Sequence, residues 1–130
     1  MTHRYITNDA TNAAISPISA AVVAGDTCYV SGQIATDPRT GTFAPGTTTE
    51  EAKRAFANLM EVVESAGFTR ADVVYVDLAF LDLTDLPDAN AVFASVFPEG
   101  HRLARTVYQA AGLPLGARIK VQGIAVRQEE

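Results

Sequence analysis

Asp72-Val-Val-Tyr-Val-Asp-Leu-Ala-Phe-Leu81 decides the fold, because it is β-rich and apolar on both of its alternating faces. Val74, Val76, Leu78 and Phe80 share one face, and Val73, Tyr75, Ala79 and Leu81 share the other. Such a run wants cover on both sides. Upstream, Thr48 with Glu51 three positions on gives a capping-box pattern, and Ala52, Phe56, Leu59, Val63 and Ala66 recur at helical spacing until Gly67. Downstream, Asp85 is read as the N-cap of a second helix, with Pro87 in its first turn and Ala89, Val92, Phe93, Val96 and Phe97 leading to Pro98.

Ala20–Ala24 and Thr27–Ser31 are short β-type runs around Gly25-Asp26, a pair suited to a tight hairpin turn. Asp37-Pro-Arg-Thr-Gly41 has the chemistry of a type I turn, in a loop reaching Gly46. Towards the C-terminus, Leu103–Tyr108 and Arg118–Val126 read as strands joined through the turn-rich Gly112-Leu-Pro-Leu-Gly116, and the two are expected to pair. The order is strand, hairpin, helix, strand, helix, strand, strand, an α+β mixed β-sheet with two helices packed on one face. Two helices cover one side only, so the uncovered apolar side is expected to meet another copy of the chain.

With 130 residues, 48% of them hydrophobic and 19% charged, the chain reads as a single domain over residues 1–130 that can build its own core. Cys28 is the only cysteine, which rules out an internal disulfide and asks for no oxidising compartment. The first nine residues have no apolar core of a signal peptide, and no window reaches membrane-span length, so a cytoplasmic protein without membrane attachment is expected. Net charge is −5 and the ten basic residues are scattered, which argues against nucleic acid as a partner. A small cationic pocket on an acidic protein is still possible.

Arg105 is the residue most suggestive of chemistry. It sits inside Leu103-Ala-Arg-Thr-Val-Tyr108, and a guanidinium on a half-apolar strand needs an anion: a structural acidic partner among the fifteen Asp and Glu, or the carboxylate of a ligand gripped by its planar fork. Ser31 and Gly32 end a strand and enter a loop, where a hydroxyl and an unobstructed backbone N–H can face a small ligand or simply make a turn. Asn90, between Ala89 and Ala91, reads as a solvated or cap-type side chain. Cys28 reads as a small buried hydrophobe. His3 and His101 have no companions at metal-ligand spacing, so no metal is expected; no dinucleotide or phosphate-loop motif is present, so no cofactor is expected either.

Ala104-Arg105-Thr106 before Leu113-Pro114-x-Gly116, the closing Gly123-Ile-Ala-Val126, Ser31-Gly-Gln-Ile34 followed by Asp37-Pro38, and Asn90 on a late helix together resemble the RidA (YjgF, L-PSP endoribonuclease-like) family, from about Ala13 to Val126. The resemblance implies a chorismate-mutase-like (YjgF) fold assembled as a homotrimer, with ligand sites in clefts between subunits. It implies hydrolysis of reactive enamines and imines, such as 2-aminoacrylate, to a 2-keto acid and ammonia. It further implies that Arg105 holds the carboxylate of a small 2-imino or 2-keto acid, and that Ser31, Gly32 and Asn90 line the pocket.

Four positions, in three places, depart from the family pattern. Ile18 follows Ser16-Pro17 where relatives have a tyrosine, Val107 stands where many have a cysteine, and Lys120 stands where the resemblance implies a water-activating glutamate; Gln122 replaces a neighbouring one. Lys120 is either an ordinary charged residue on the wet side of its strand or a second cation in the cleft, favouring ligands with two negative groups. A non-catalytic keto-acid-binding trimer is the rival reading, and the endoribonuclease role attached to some relatives fits poorly with the charge.

Overall fold

The structure, a computed structural model, describes residues 2–7 and 17–128, so Ala13 and Ser16 of the resemblance lie outside the described residues. Its strands are β1 (Arg4–Ile6), β2 (Ala21–Ala24), β3 (Thr27–Gln33), β4 (Val73–Phe80), β5 (Ala104–Gln109) and β6 (Ile119–Val126). Its helices are α1 (Thr48–Ser65) and α2 (Leu86–Val96). The six strands make one mixed sheet in the order β1-β2-β3-β6-β4-β5, antiparallel throughout except for the parallel β4–β5 pair.

The expected pairing of the two C-terminal strands does not occur. β4 lies between them, with Leu78 opposite Val121 of β6 and beside Val107 of β5. The reason is burial: Val76, Leu78 and Phe80 are fully enclosed, so β4 takes an inner position, and α2 supplies the crossover that a parallel neighbour requires.

Both helices pack on the same side of the sheet. Phe56 of α1 stacks edge-on against Phe93 and Phe97 at the end of α2, with centroids 5.8 and 6.2 Å away, and these rings lie over Val76, Leu78, Phe80, Ile119 and Val121 in one core. The capping box of α1 sits one residue earlier than expected: the Thr47 hydroxyl accepts from the Glu50 N–H at 3.1 Å, and the Glu50 carboxylate accepts from the Thr47 N–H at 2.8 Å. Glu51 is thereby turned inward, 2% exposed, where it accepts from the N–H groups of Arg118 (2.9 Å) and Gly46 (3.2 Å) and lies 3.9 Å from the Arg118 guanidinium. One carboxylate thus ties α1 to the end of the long loop and to the entry of β6.

At the start of α2, Asp85 caps nothing with its side chain. Asp82 caps instead, accepting from the Thr84 N–H at 2.9 Å in a short 3-10 turn that precedes the helix. The β2–β3 hairpin is as expected, with Ala24 opposite Thr27 and Gly25 at φ 61°, which with Asp26 at negative φ makes the two-residue II′ turn. Asp37 also behaves as read: it accepts from the Arg39 N–H at 2.9 Å, and that bond holds its carboxyl below the usual range.

The face without helices differs from the expected apolar surface. A register shift between Val73 and Tyr75 turns Val73 into the core and leaves Val74 46% exposed. Tyr75, Asp77 and Ala79 then point to the open side, where the Tyr75 hydroxyl donates to Asp77 at 2.8 Å, Gln122 donates to the same carboxylate at 3.1 Å, and Thr106 bonds the Tyr75 hydroxyl. Tyr29 and Tyr108 are exposed on the same face of the sheet. No helix of the described residues is long and apolar enough to cross a membrane.

Candidate functional site

The register of β3 against β6 shifts between Val30 and Gln33, so that Ser31 and Gly32 together oppose Gln122 in a β-bulge. The Ser31 hydroxyl donates to the carbonyl of Ser19 at 2.7 Å and its N–H donates to that of Ala20 at 2.9 Å, which fixes the segment carrying the half-exposed Ile18 beside the bulge. Both Ser31 donors are therefore used within the chain, and the hydroxyl faces any ligand as an acceptor. On the neighbouring strand, Lys120 alternates with the fully buried Ile119 and Val121 and points to the open side. Its stem lies across Gly32 so closely that a Cβ there would stand 2.1 Å from Lys120 Cε. Ile18, Ser31, Gly32 and Lys120 form one group.

Arg105, Asn90 and Val107 form another. Arg105 stands beside Val76 and Val107 beside Leu78, on the helix-covered side of β5. Val107 packs against the core. The half-buried Arg105 guanidinium rests over the Phe93 ring, 4.9 Å from its centroid, held by cation–π attraction. Asn90 is one helical turn before Phe93 and exposed, at the rim of that platform; among the described residues it shares no hydrogen bond with Arg105.

Among the described residues neither Arg105 nor Lys120 has a carboxylate within ion-pair distance; the three pairs found there are Arg39–Asp37, Arg118–Glu51 and Arg127–Asp26. The acidic partner that the structural reading of Arg105 calls for is absent from those residues. The sheet itself separates the two groups within one chain, since Arg105 lies on its helix side and Lys120 on its open side, two strands away. Two surface depressions of about 410 and 430 Å³ flank the outer side of α1 near Lys53 and Glu61 and contain no residue of either group.

His101 belongs to neither group. Its Nε2 is 3.2 Å from the Val73 carbonyl and its ring stands edge-on to Phe97. Cys28 is fully buried, and that burial pushes its thiol up from the ordinary value, with nearby Arg4 opposing. Among the described residues no three His, Cys, Asp or Glu side chains converge as a metal site. Sequence reading placed Phe93 only in the core and missed it as the seat of the arginine; its position three residues after Asn90 is the signal that was available.

The sequence profile of the family described as Endoribonuclease L-PSP matches residues 8–127. The chain belongs to that family. Among L-PSP relatives, the 2-iminobutanoate/2-iminopropanoate deaminase of Rattus norvegicus is 40% identical over 124 residues, covering 95% of this chain and 90% of the relative. A solved structure of a putative endoribonuclease from Thermotoga maritima superposes with a TM-score of 0.91 at 36% identity, covering 99% of this chain and all of that one. The structure of E. coli TdcF with bound serine superposes with a TM-score of 0.87 at 28% identity, covering 96% and 99%. The α+β sheet with two helices on one face is accordingly the L-PSP (YjgF) fold, as the motifs around Ser31 and Arg105 implied.

Proposed function

We propose that this L-PSP chain, as one domain over residues 1–130, binds small 2-imino and 2-keto acids and hydrolyses the imines slowly, in clefts formed between the subunits of a homotrimer. The observation that carries the reading is Arg105: half-buried, seated on Phe93, and without a carboxylate partner among the described residues. A guanidinium so placed is preorganised for a ligand carboxylate. Supporting it are the relatives named as 2-iminobutanoate/2-iminopropanoate deaminases and the serine bound to TdcF, a small carboxylate-bearing molecule. The two residue groups, on opposite sides of one sheet, become one site when Arg105, Asn90 and Val107 of one subunit face Ile18, Ser31, Gly32 and Lys120 of the next.

In that cleft Arg105 takes the carboxylate through two parallel hydrogen bonds and so fixes the C=N carbon beside the Ser31–Gly32 bulge. Water adds to this carbon and one of its protons passes to nitrogen, giving a carbinolamine; the hydroxyl proton then moves to the amine as the C–N bond breaks, ammonia leaves, and the keto acid remains. The substrate is already unstable towards hydrolysis, so positioning supplies much of the acceleration. Lys120 cannot take a proton from water while protonated, and a missing general base commonly costs about 10²- to 10⁴-fold in rate. The same substitution favours a second reading, a trimer that binds keto acids without turning imines over. RNA cleavage is outside the proposal, because a net charge of −5 without a basic run offers no phosphate-binding face.

The test feeds the imine product of an amino-acid oxidase to the protein and follows keto acid and ammonia, alongside sedimentation equilibrium and pyruvate titration. Slow turnover by a trimer that binds pyruvate is expected, with Arg105→Ala keeping the trimer and its melting temperature while losing binding. Binding without turnover selects the second reading. A folded monomer, or an Arg105→Ala variant that unfolds, refutes the intersubunit site.

A further inference from the structure

We propose that Lys120 is a second anion-binding point, and that the ligand this chain prefers is therefore a dicarboxylate, a 2-oxo or 2-imino acid with a second carboxylate at its far end. The inference rests on the cleft described above and goes further by naming the class of acid it takes.

Lys120 is not a freely moving surface lysine. It is half-buried between two fully enclosed neighbours, and its stem is laid over the one residue of the bulge that has no side chain. A Cβ at Gly32 would lie 3.1 Å from Nζ itself, so the ammonium is carried close to the bulge backbone. The absence of a side chain at Gly32 lets the cation reach that point.

No acid among the described residues neutralises it. Asp77 is the carboxylate on the same open face of the neighbouring strand, two positions along from Ala79, the residue opposite Lys120. Its two oxygens are engaged by Tyr75 and Gln122. Arg105 is unpaired in the same sense. The other members of the two groups, Ile18, Ser31, Gly32, Asn90 and Val107, carry no charge, so the seven residues of the two groups bring two positive charges and no negative one. A site of that charge on a protein of net charge −5 is complemented by a ligand bearing two negative groups. A monocarboxylate satisfies Arg105 and leaves Lys120 desolvated without a partner. A dicarboxylate satisfies both.

The test is calorimetric titration of the assembled protein with two pairs matched in chain length: 2-oxoglutarate against 2-oxovalerate, and oxaloacetate against 2-oxobutyrate. The better-fitting dicarboxylate should bind on the order of tenfold to a hundredfold tighter than its partner, the usual worth of one charge-assisted hydrogen bond. Lys120→Met should remove that preference. Lys120→Glu should reverse it, and Arg105→Ala should weaken all four acids. Equal affinities within both pairs, or a preference that survives Lys120→Met, would overturn the inference and leave the keto-acid site standing. If none of the four acids binds the wild type, the site falls and this inference falls with it.

Discussion

Replacing Glu51 by alanine should destabilise the fold more than any surface substitution. The carboxylate is buried and accepts from two backbone donors, the N–H groups of Arg118 and Gly46. Leaving one buried donor unsatisfied costs about 1–3 kcal/mol, so two set the loss at about 2–6 kcal/mol. The Arg118 guanidinium adds little, because it is 52% exposed and 3.9 Å away. For a domain of this size that is a large part of a total of about 5–15 kcal/mol, and it lowers the melting temperature by roughly 6–20 °C. Glu51→Gln keeps the volume and one acceptor oxygen but turns an amide donor towards the other N–H, so it should fall between wild type and alanine. Urea unfolding at one fixed protein concentration reads the order through the midpoint with an unchanged slope. Hydrogen exchange at the Arg118 amide should accelerate in the alanine variant. A loss under about 1 kcal/mol, or an Arg118 amide as protected as in wild type, would refute the clamp.

Two further outcomes follow from close contacts. Gly32→Ala pushes a methyl into the stem of Lys120, the flexible part of that side chain, so the cost should be modest, about 0.5–1.5 kcal/mol, and should vanish in the Gly32→Ala/Lys120→Ala double variant; a cost independent of residue 120 would place the strain elsewhere. Cys28 should resist a thiol reagent in the folded protein. Because burial raises its pKa, the folded state keeps a proton that the unfolded chain releases, so stability is complete below the ordinary thiol pKa of about 8.5 and declines as pH rises past it. The decline should be missing from Cys28→Ala, and a reactive native thiol would contradict the burial.

The elements were legible where local rules govern them. Gly25-Asp26 fixes its hairpin, Gly67 ends α1, and the alternation of Ile119, Lys120 and Val121 places the lysine on the open side without reference to any other strand. What escaped depends on partners distant in sequence. Asp85 and Asp82 are equal as caps on paper, and only the 3-10 turn before α2 decides between them. Thr47–Glu50 and Thr48–Glu51 are equal as capping boxes until the inner carboxylate finds Arg118, 67 residues away. The pairing of β5 was missed because a short connection suggests a hairpin, whereas burial of β4 demanded a strand on either side. For the site, chemistry named Arg105 and the family motifs named its companions. That Arg105 and Lys120 face opposite sides of the sheet follows from register, which the residues alone did not reveal.

The place of β6 has a consequence for synthesis. It is the last of the six strands to be made and the fourth across the sheet, between β3 and β4. A growing chain that has emerged as far as β5 carries a three-stranded piece, β1-β2-β3, and a parallel pair, β4-β5, with no backbone ladder to join them. Both pieces expose an unpaired edge until the final strand arrives and closes the gap from each side at once. The sheet therefore closes only once β6 has emerged. A ribosome stalled before residue 119 should display two sticky half-sheets, whereas one stalled on a linker beyond residue 126 should display the finished fold.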